Sequence, residues 1–216
     1  MSAPPRTPPA KRALDLALAL PAAAVALPVL AVLAPLMWAT QGRPILYVSE
    51  RMRAPGRPFR LLKLRTMAAA ARNDGVSGGD KAARITPMGR WLRRLRLDEL
   101  PQIANVIAGD MSVVGPRPPL RLYTEAFPET YAEVLRMPPG VTGLATLVFR
   151  RHEERLLARC ATAEETHAVY ARACVPRKAR LDRLYAARWS PALDLWILWR
   201  TLATLAGAPP RRRRRR

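Results

Sequence analysis

The sequence predicts a membrane-anchored α+β protein, mostly α with a short β-hairpin, and three observations carry that reading. Residues 16–39 hold no charge over 24 positions, more than the ~20 a helix needs to cross a bilayer. Two β-prone runs, 44–49 and 59–64, flank the turn sequence Ala54-Pro55-Gly56-Arg57. Beyond residue 86 the chain is dominated by helix-favouring, charged stretches separated by Pro/Gly punctuation. With 216 residues it can form one compact domain, alone or with an appendage.

Taken in order, residues 1–10 are proline-rich and polar and read as a disordered tail. The apolar segment follows within residues 11–41. It is too long for a signal peptide's apolar region, and no convincing cleavage site follows it, so it is a retained membrane segment. Pro21, Pro28 and Pro35 stand seven apart, on nearly one stripe of a helix, and each removes a backbone donor. Lys11 and Arg12 precede the segment, and Arg43, Arg51, Arg53 and Arg57 follow it. Basic flanks draw both ends to the cytoplasm. A re-entrant hairpin helix with Pro28 at its apex satisfies them, and a single proline-kinked span is equally compatible with these residues alone.

Residues 42–207 make the main domain. Its hairpin carries Lys63, Arg65 and Thr66 close to the membrane, and residues 72–82 read as a flexible loop. A helix starts at Thr86-Pro87, with threonine as cap and proline in the first turn, and runs through Trp91, Leu92 and Leu95. Helix-favouring stretches 120–136 and 150–188 are separated by Pro138-Pro139-Gly140-Val141-Thr142-Gly143. Ser190-Pro191 opens a last helix whose Leu193, Trp196, Ile197, Trp199 and Leu202 suit an amphipathic element at the membrane interface. Residues 208–216 end in six arginines, a tail attracted to anionic lipid.

A net charge of +21 and a pI near 11.6 point to polyanionic partners: anionic lipid, phosphorylated substrates or nucleic acid. No aromatic-and-basic nucleic-acid motif is present, which sets nucleic acid aside. Cys160 and Cys174, with only His152 and His167 for company, match neither a zinc site nor a disulfide framework and read as reduced structural thiols.

The chemistry concentrates in Leu97-Asp98-Glu99-Leu100-Pro101-Gln102 and the Gly/Pro-punctuated residues 109–118. Asp98 and Glu99 follow Arg90, Arg93, Arg94 and Arg96, and Arg117 comes after them. A carboxylate among cations has a depressed pKa and stays ionised, so it can attack, hold a metal, or both. Arginine forks suit phosphate oxygens. Together they form the equipment of phosphoryl transfer; the plain alternative is a surface ion-pair network.

An ordered series of motifs resembles a known family. The series comprises Lys11-Arg12 with Asp15, Pro28, Ser49-Glu50-Arg51, Phe59 with Lys63-Leu64-Arg65-Thr66-Met67, and the Asp98-Glu99 run. Residues 109–118, Pro139-Gly140-Val141-Thr142-Gly143, and Asp182 with Tyr185, Ser190 and Asp194 complete it. It is similar to the bacterial sugar transferases, small monotopic phosphoglycosyl transferases that start glycan assembly on a polyprenyl carrier. The resemblance covers roughly residues 11–204 and suggests a minimal member with a single catalytic domain. It implies that Asp98 attacks the β-phosphate of a nucleotide diphospho-sugar, with Glu99 as helper and Mg²⁺ ligand. Lys63, Arg65 and Arg117 would contact phosphate, and Asp182 would be a further acidic site residue; an ion pair with Lys178, four residues earlier, is its plainer role. The family's re-entrant helix would break at Pro28 and hold the catalytic domain on the cytoplasmic face of the bacterial inner membrane. Nucleotide diphospho-sugar, polyprenyl phosphate and anionic membrane lipids are the implied partners, with homo-oligomerisation open.

Two departures bear on this. Leu27 stands where many members have serine before the apex proline, and Leu144-Ala145-Thr146-Leu147 replaces Trp-Ala-Gln-Val, so the sugar is not carried over. A membrane-anchored basic binding or scaffold protein is the rival reading. It accounts for the charge and the anchor but not for the ordered motifs.

Overall fold

A computed structural model of the chain describes residues 7–68, 76 and 78–205. The arginine tail, most of the expected disordered lead-in and much of the expected 72–82 loop lie outside the described residues. Helix α1 spans Pro9–Gln41, beginning slightly before the expected start because Pro9 suits a first helical turn. The helix runs unbroken through Pro21, Pro28 and Pro35, so the expected break at Pro28 does not interrupt it. All three prolines are exposed, whereas Lys11, Asp15, Ala19, Ala26, Leu33 and Met37 are buried. A proline ring clashes with the carbonyl four residues earlier and bends the helix away from its own side. Three prolines on the outer face therefore favour a helix bowed around the body it packs on.

Both ends of α1 rest on that body. Near the start, the Lys11 ammonium donates to Asp194 at 2.8 Å and to the Tyr185 hydroxyl at 3.0 Å, and Arg12 donates to the Val106 and Ile107 carbonyls. Near the end, Leu33 and Met37 pack with Leu64 and Leu92.

Strands β1 (Leu46–Ala54) and β2 (Arg57–Leu64) form the expected antiparallel hairpin, turning through Gly56 at φ 70° and placing Tyr47 opposite Lys63. Helix α2 (Pro87–Leu95) is capped as expected, the Thr86 hydroxyl accepting from the Gly89 N–H at 2.9 Å. It stops where Arg96 adopts a left-handed conformation, φ 61°, and the single turn Leu97–Glu99 follows. Helix α3 is Gln102–Ala108.

Next comes a feature the sequence reading missed. Strands β3 (Ser112–Val114) and β4 (Gly140–Thr142) pair in parallel. Their loops pass so closely that a Cβ on Gly115 would sit 2.2 Å from the Pro138 carbonyl oxygen, and one on Gly143 2.0 Å from that of Gly115. Glycine is the residue that fits both positions, and this crossing fixes the loop that carries Arg117.

Helices α4 (Arg121–Ala126), α5 (Pro128–Val134), α6 (Leu144–Leu157), α7 (Ala163–Val169) and α8 (Val175–Ala187) surround a core of Tyr123, Leu135, Phe149 and Val175. A π-helical turn, Tyr170–Cys174, joins α7 to α8. Cys160 and Cys174 are free and buried, as expected. Helix α9 (Pro191–Leu205) opens with the Ser190 hydroxyl accepting from the Leu193 N–H at 3.1 Å.

Among the helices, exposed large apolar side chains are most numerous on three: Leu20, Val25, Leu27 and Val32 on α1, Trp91 and Leu95 on α2, and Leu195, Trp196, Trp199 and Leu202 on α9. Both α2 and α9 touch α1. Exposed apolar surface on this scale marks an interaction with lipid or another apolar partner, and α1 is long and apolar enough to cross a membrane. The chain associates with membranes.

Candidate active site

A cavity of about 560 Å³ opens between the β1–β2 hairpin, the Leu97–Glu99 turn, the loop after β3, and helices α6 and α8. Among the described residues its lining has nine cationic side chains against four carboxylates. Such a surplus fits a substrate carrying several phosphate charges.

The left-handed Arg96 ends α2 and turns the acid pair inward, so Asp98 and Glu99 are 7% and 9% exposed. Glu99 is the anchor of the charge cluster. Its Oε1 receives Arg96 at 3.1 Å, Lys63 at 3.2 Å and Arg117 at 3.3 Å. Burial alone would raise its pKa, but Arg117, Lys63 and Arg96 outweigh burial and hold it well below the carboxylate range. Asp98 differs. Burial, then the neighbouring Glu99, raises its pKa against the pull of Lys63, Arg93 and Arg96. The expectation that cations depress the acid pair thus holds for Glu99 and not for Asp98, because the cations converge on Glu99. Asp98 Oδ1 is buried and has no hydrogen-bond partner among the described residues. A bare oxygen on a cation-flanked carboxylate is available to attack an electrophile or to meet a cation.

Lys63 and Arg117 stand at the site as expected. Burial and then Arg117 push the Lys63 ammonium down to about 8. Arg117 is held above its usual range, Glu99 and Glu153 outweighing burial. Arg65 lines the cavity, but its guanidinium donates to the carbonyls of Gln41, Gly42 and Arg43. Its two terminal nitrogens tie the end of α1 to the hairpin, while its buried Nε has no partner among the described residues.

Asp182 is not brought to the cavity. It is buried near the Ala145 N–H at the start of α6, its Oδ1 has no hydrogen-bond partner among the described residues, and burial pushes its carboxyl up to about 7. Lys178 does not pair with it; that ammonium donates to both Glu153 oxygens and to the Tyr170 hydroxyl.

Arg51, Glu153 and Lys178 line the cavity and were not foreseen as site residues. Arg51 could have been found. It lies two alternations along β1 from Tyr47, the partner of Lys63, and therefore shares its face. Burial, then Arg117, lowers Arg51 to about 10. Glu153 and Lys178 lie 25 residues apart on different helices, and no local pattern joins them.

Among the described residues no group of three or more His, Cys, Asp or Glu side chains is placed to hold a metal ion. Mg²⁺, however, commonly binds through one or two carboxylates together with substrate phosphates. Asp98 and Glu99, with the bare Asp98 oxygen, fit that mode.

Comparison with known proteins agrees with this geometry. The bacterial sugar transferase family matches residues 6–208. Over 118 residues, 54% of this chain and 66% of the relative, the chain is 43% identical to a Bacillus subtilis (strain 168) protein. That protein is provisionally named an undecaprenyl-phosphate N-acetylgalactosaminyl 1-phosphate transferase. The UDP-glucose:undecaprenyl-phosphate glucose-1-phosphate transferase of Caulobacter vibrioides is 34% identical over 200 residues, 90% of this chain and 69% of the relative. The UDP-N-acetylgalactosamine-undecaprenyl-phosphate N-acetylgalactosaminephosphotransferase of Aeromonas hydrophila is 30% identical over 201 residues, 90% of this chain but 43% of the relative. The chain thus spans about two thirds of the first two relatives and less than half of the third.

Proposed function

The chain belongs to the bacterial sugar transferase family, and we propose that it moves a sugar-1-phosphate from a UDP-sugar to polyprenyl (undecaprenyl) phosphate, initiating a lipid-linked glycan such as an exopolysaccharide, O-antigen or glycoconjugate. The observation that carries this reading is the bare, buried Asp98 oxygen beside a Glu99 that gathers three cations. The relatives named for UDP-sugars and undecaprenyl phosphate support the substrate pair.

In this reading the diphosphate lies against Lys63, Arg51, Arg96 and Arg117. An Asp98 oxygen attacks the β-phosphorus, and the bond to the bridging oxygen breaks. UMP leaves with that electron pair, and an acyl phosphate to the sugar forms on the aspartate. A phosphate oxygen of the polyprenyl carrier then attacks the same phosphorus and expels the carboxylate, giving polyprenyl-diphospho-sugar. Glu99 holds Lys63, Arg96 and Arg117 in place, so the donors face the charge that develops. Glu99, next to the attacking Asp98, would hold Mg²⁺, which when bound would neutralise diphosphate charge.

Membrane geometry fits the same chemistry. A helix whose two ends both rest on one body supports a topology in which both ends would lie on one side of the bilayer, with the outward prolines favouring a bow into the lipid and back. The site then lies on the cytoplasmic face of the inner membrane, with basic residues toward anionic lipid. The test is to incubate purified protein with Mg²⁺, undecaprenyl phosphate and a panel of UDP-sugars. UMP and a lipid-linked product are expected with at least one sugar, and their absence across the panel would refute the reading.

A further inference from the structure

The geometry points to Glu153, steadied by Lys178 and Tyr170, as the specificity-determining residue that accepts hydrogen bonds from hydroxyls of the transferred sugar, an inference that rests on reading the cavity as the donor site. Lys178 reaches Glu153 Oε1 at 3.1 Å, Glu153 Oε2 at 3.0 Å and the Tyr170 hydroxyl at 3.1 Å, and all three residues line the cavity. Their side chains differ in access: Lys178 is 9% exposed and Glu153 22%. The carboxylate is therefore the member of the pair open to a ligand. Lys178 occupies part of its acceptor capacity, and an ionised carboxylate has about four lone-pair sites.

Packing does not account for this pair. A buried ion pair contributes little net stability, and an apolar pair of similar volume often does as well. Tyr170 reaches the wall from the π-helical turn Tyr170–Cys174, a distortion frequent at functional sites. Arg117, which donates to Glu99 at 3.3 Å, lines the same cavity as Glu153.

The order of the two displacements says which part of the donor belongs there. UMP departs opposite the attacking Asp98 oxygen, and the polyprenyl phosphate must enter from the side that UMP vacated. The sugar stays bound through both steps and so needs a wall away from that exit. The Glu153 wall offers no free aromatic face to a base, because Tyr123 and Tyr170 pack on each other at 4.6 Å and are 1% and 6% exposed. Hydroxyls are what a fixed carboxylate reads well, and a site built to hydrogen-bond them discriminates strongly between analogues.

The experiment measures kcat/KM for UMP release from UDP-glucose, UDP-galactose, UDP-N-acetylglucosamine and UDP-N-acetylgalactosamine, together with the inhibition constant of UMP, for wild type and Glu153→Gln. We expect the ratio between the best and second-best sugar to change at least tenfold while the UMP constant stays within about threefold, the loss of one hydrogen bond to a charged group sufficing for the former. Unchanged sugar ratios in an active variant would overturn the inference, as would a UMP constant that shifts as much as the sugar ratios. Absence of turnover in the wild type with every sugar would instead overturn the donor-site reading itself. Should Glu153→Gln not fold, the doubly neutral Glu153→Gln/Lys178→Met is read by the same ratios.

Discussion

Lys63 has its ammonium held down to about 8 by burial and by Arg117, so it loses charge within the working range of pH. Below pH 8 it faces phosphate as a cation; as pH rises through 8 it becomes neutral. The apparent KM for the donor should therefore rise above pH 8, and Lys63→Arg should move that limb to higher pH, as a pH profile of kcat/KM will reveal. Lys63→Met should cost roughly 10²–10³-fold in turnover, typical of losing one donor to transition-state charge. Asp98 sets the opposite limb. Its raised pKa means that activity falls as acidification protonates it. Removing the neighbouring charge with Glu99→Gln should shift that limb to lower pH while lowering the rate. At this scale the sequence was legible where order along the chain carried the chemistry, in Asp98, Glu99 and Arg117, and Lys63, taken like Arg65 and Asp182 from a motif position, meets them. Arg65 and Asp182 were read as site residues because they match motif positions. What decided their roles was a neighbour distant in sequence, the end of α1 for one and the start of α6 for the other.

Among the elements, α6 depends on Asp182. Its folded pKa of about 7 lies above the unfolded carboxylate value, so the stability it contributes is present at acid pH and lost as pH rises toward and through 7. Asp182→Asn should therefore gain thermal stability relative to wild type at pH 8 compared with pH 5, by up to about 3 kcal/mol; equal differences at the two pH values would refute this. The end of α1 depends on Arg65. Arg65→Lys keeps the charge but not the planar fork, and should lower unfolding stability by roughly 2 kcal/mol in thermal melts. Caps at Thr86 and Ser190 were legible because capping is local chemistry. The β3–β4 pair was not, since three-residue strands show no alternation and their pairing is set by distant glycines. The left-handed Arg96 has no sequence cue of the glycine kind.

For the whole molecule the question is how a 33-residue apolar helix meets the membrane. Its length and basic flanks were legible in composition. Its path was not, because proline spacing alone fits both a re-entrant break and a single kinked span; the helix itself runs unbroken, with Pro21, Pro28 and Pro35 all on its exposed face. With the native thiols replaced, cysteines introduced at Thr7 and Arg57 should both be labelled from the cytoplasmic side of inverted vesicles. Labelling from opposite sides would contradict the arrangement.

The most direct test of the account is the intact mass of the protein after incubation with Mg²⁺ and its UDP-sugar, without lipid acceptor. Wild type should gain the mass of one sugar-phosphate, and Asp98→Asn, close in shape but without a nucleophilic carboxylate, should gain none and release no UMP. An adduct that persists in Asp98→Asn, or an active wild type that never forms one, would contradict transfer through this aspartate.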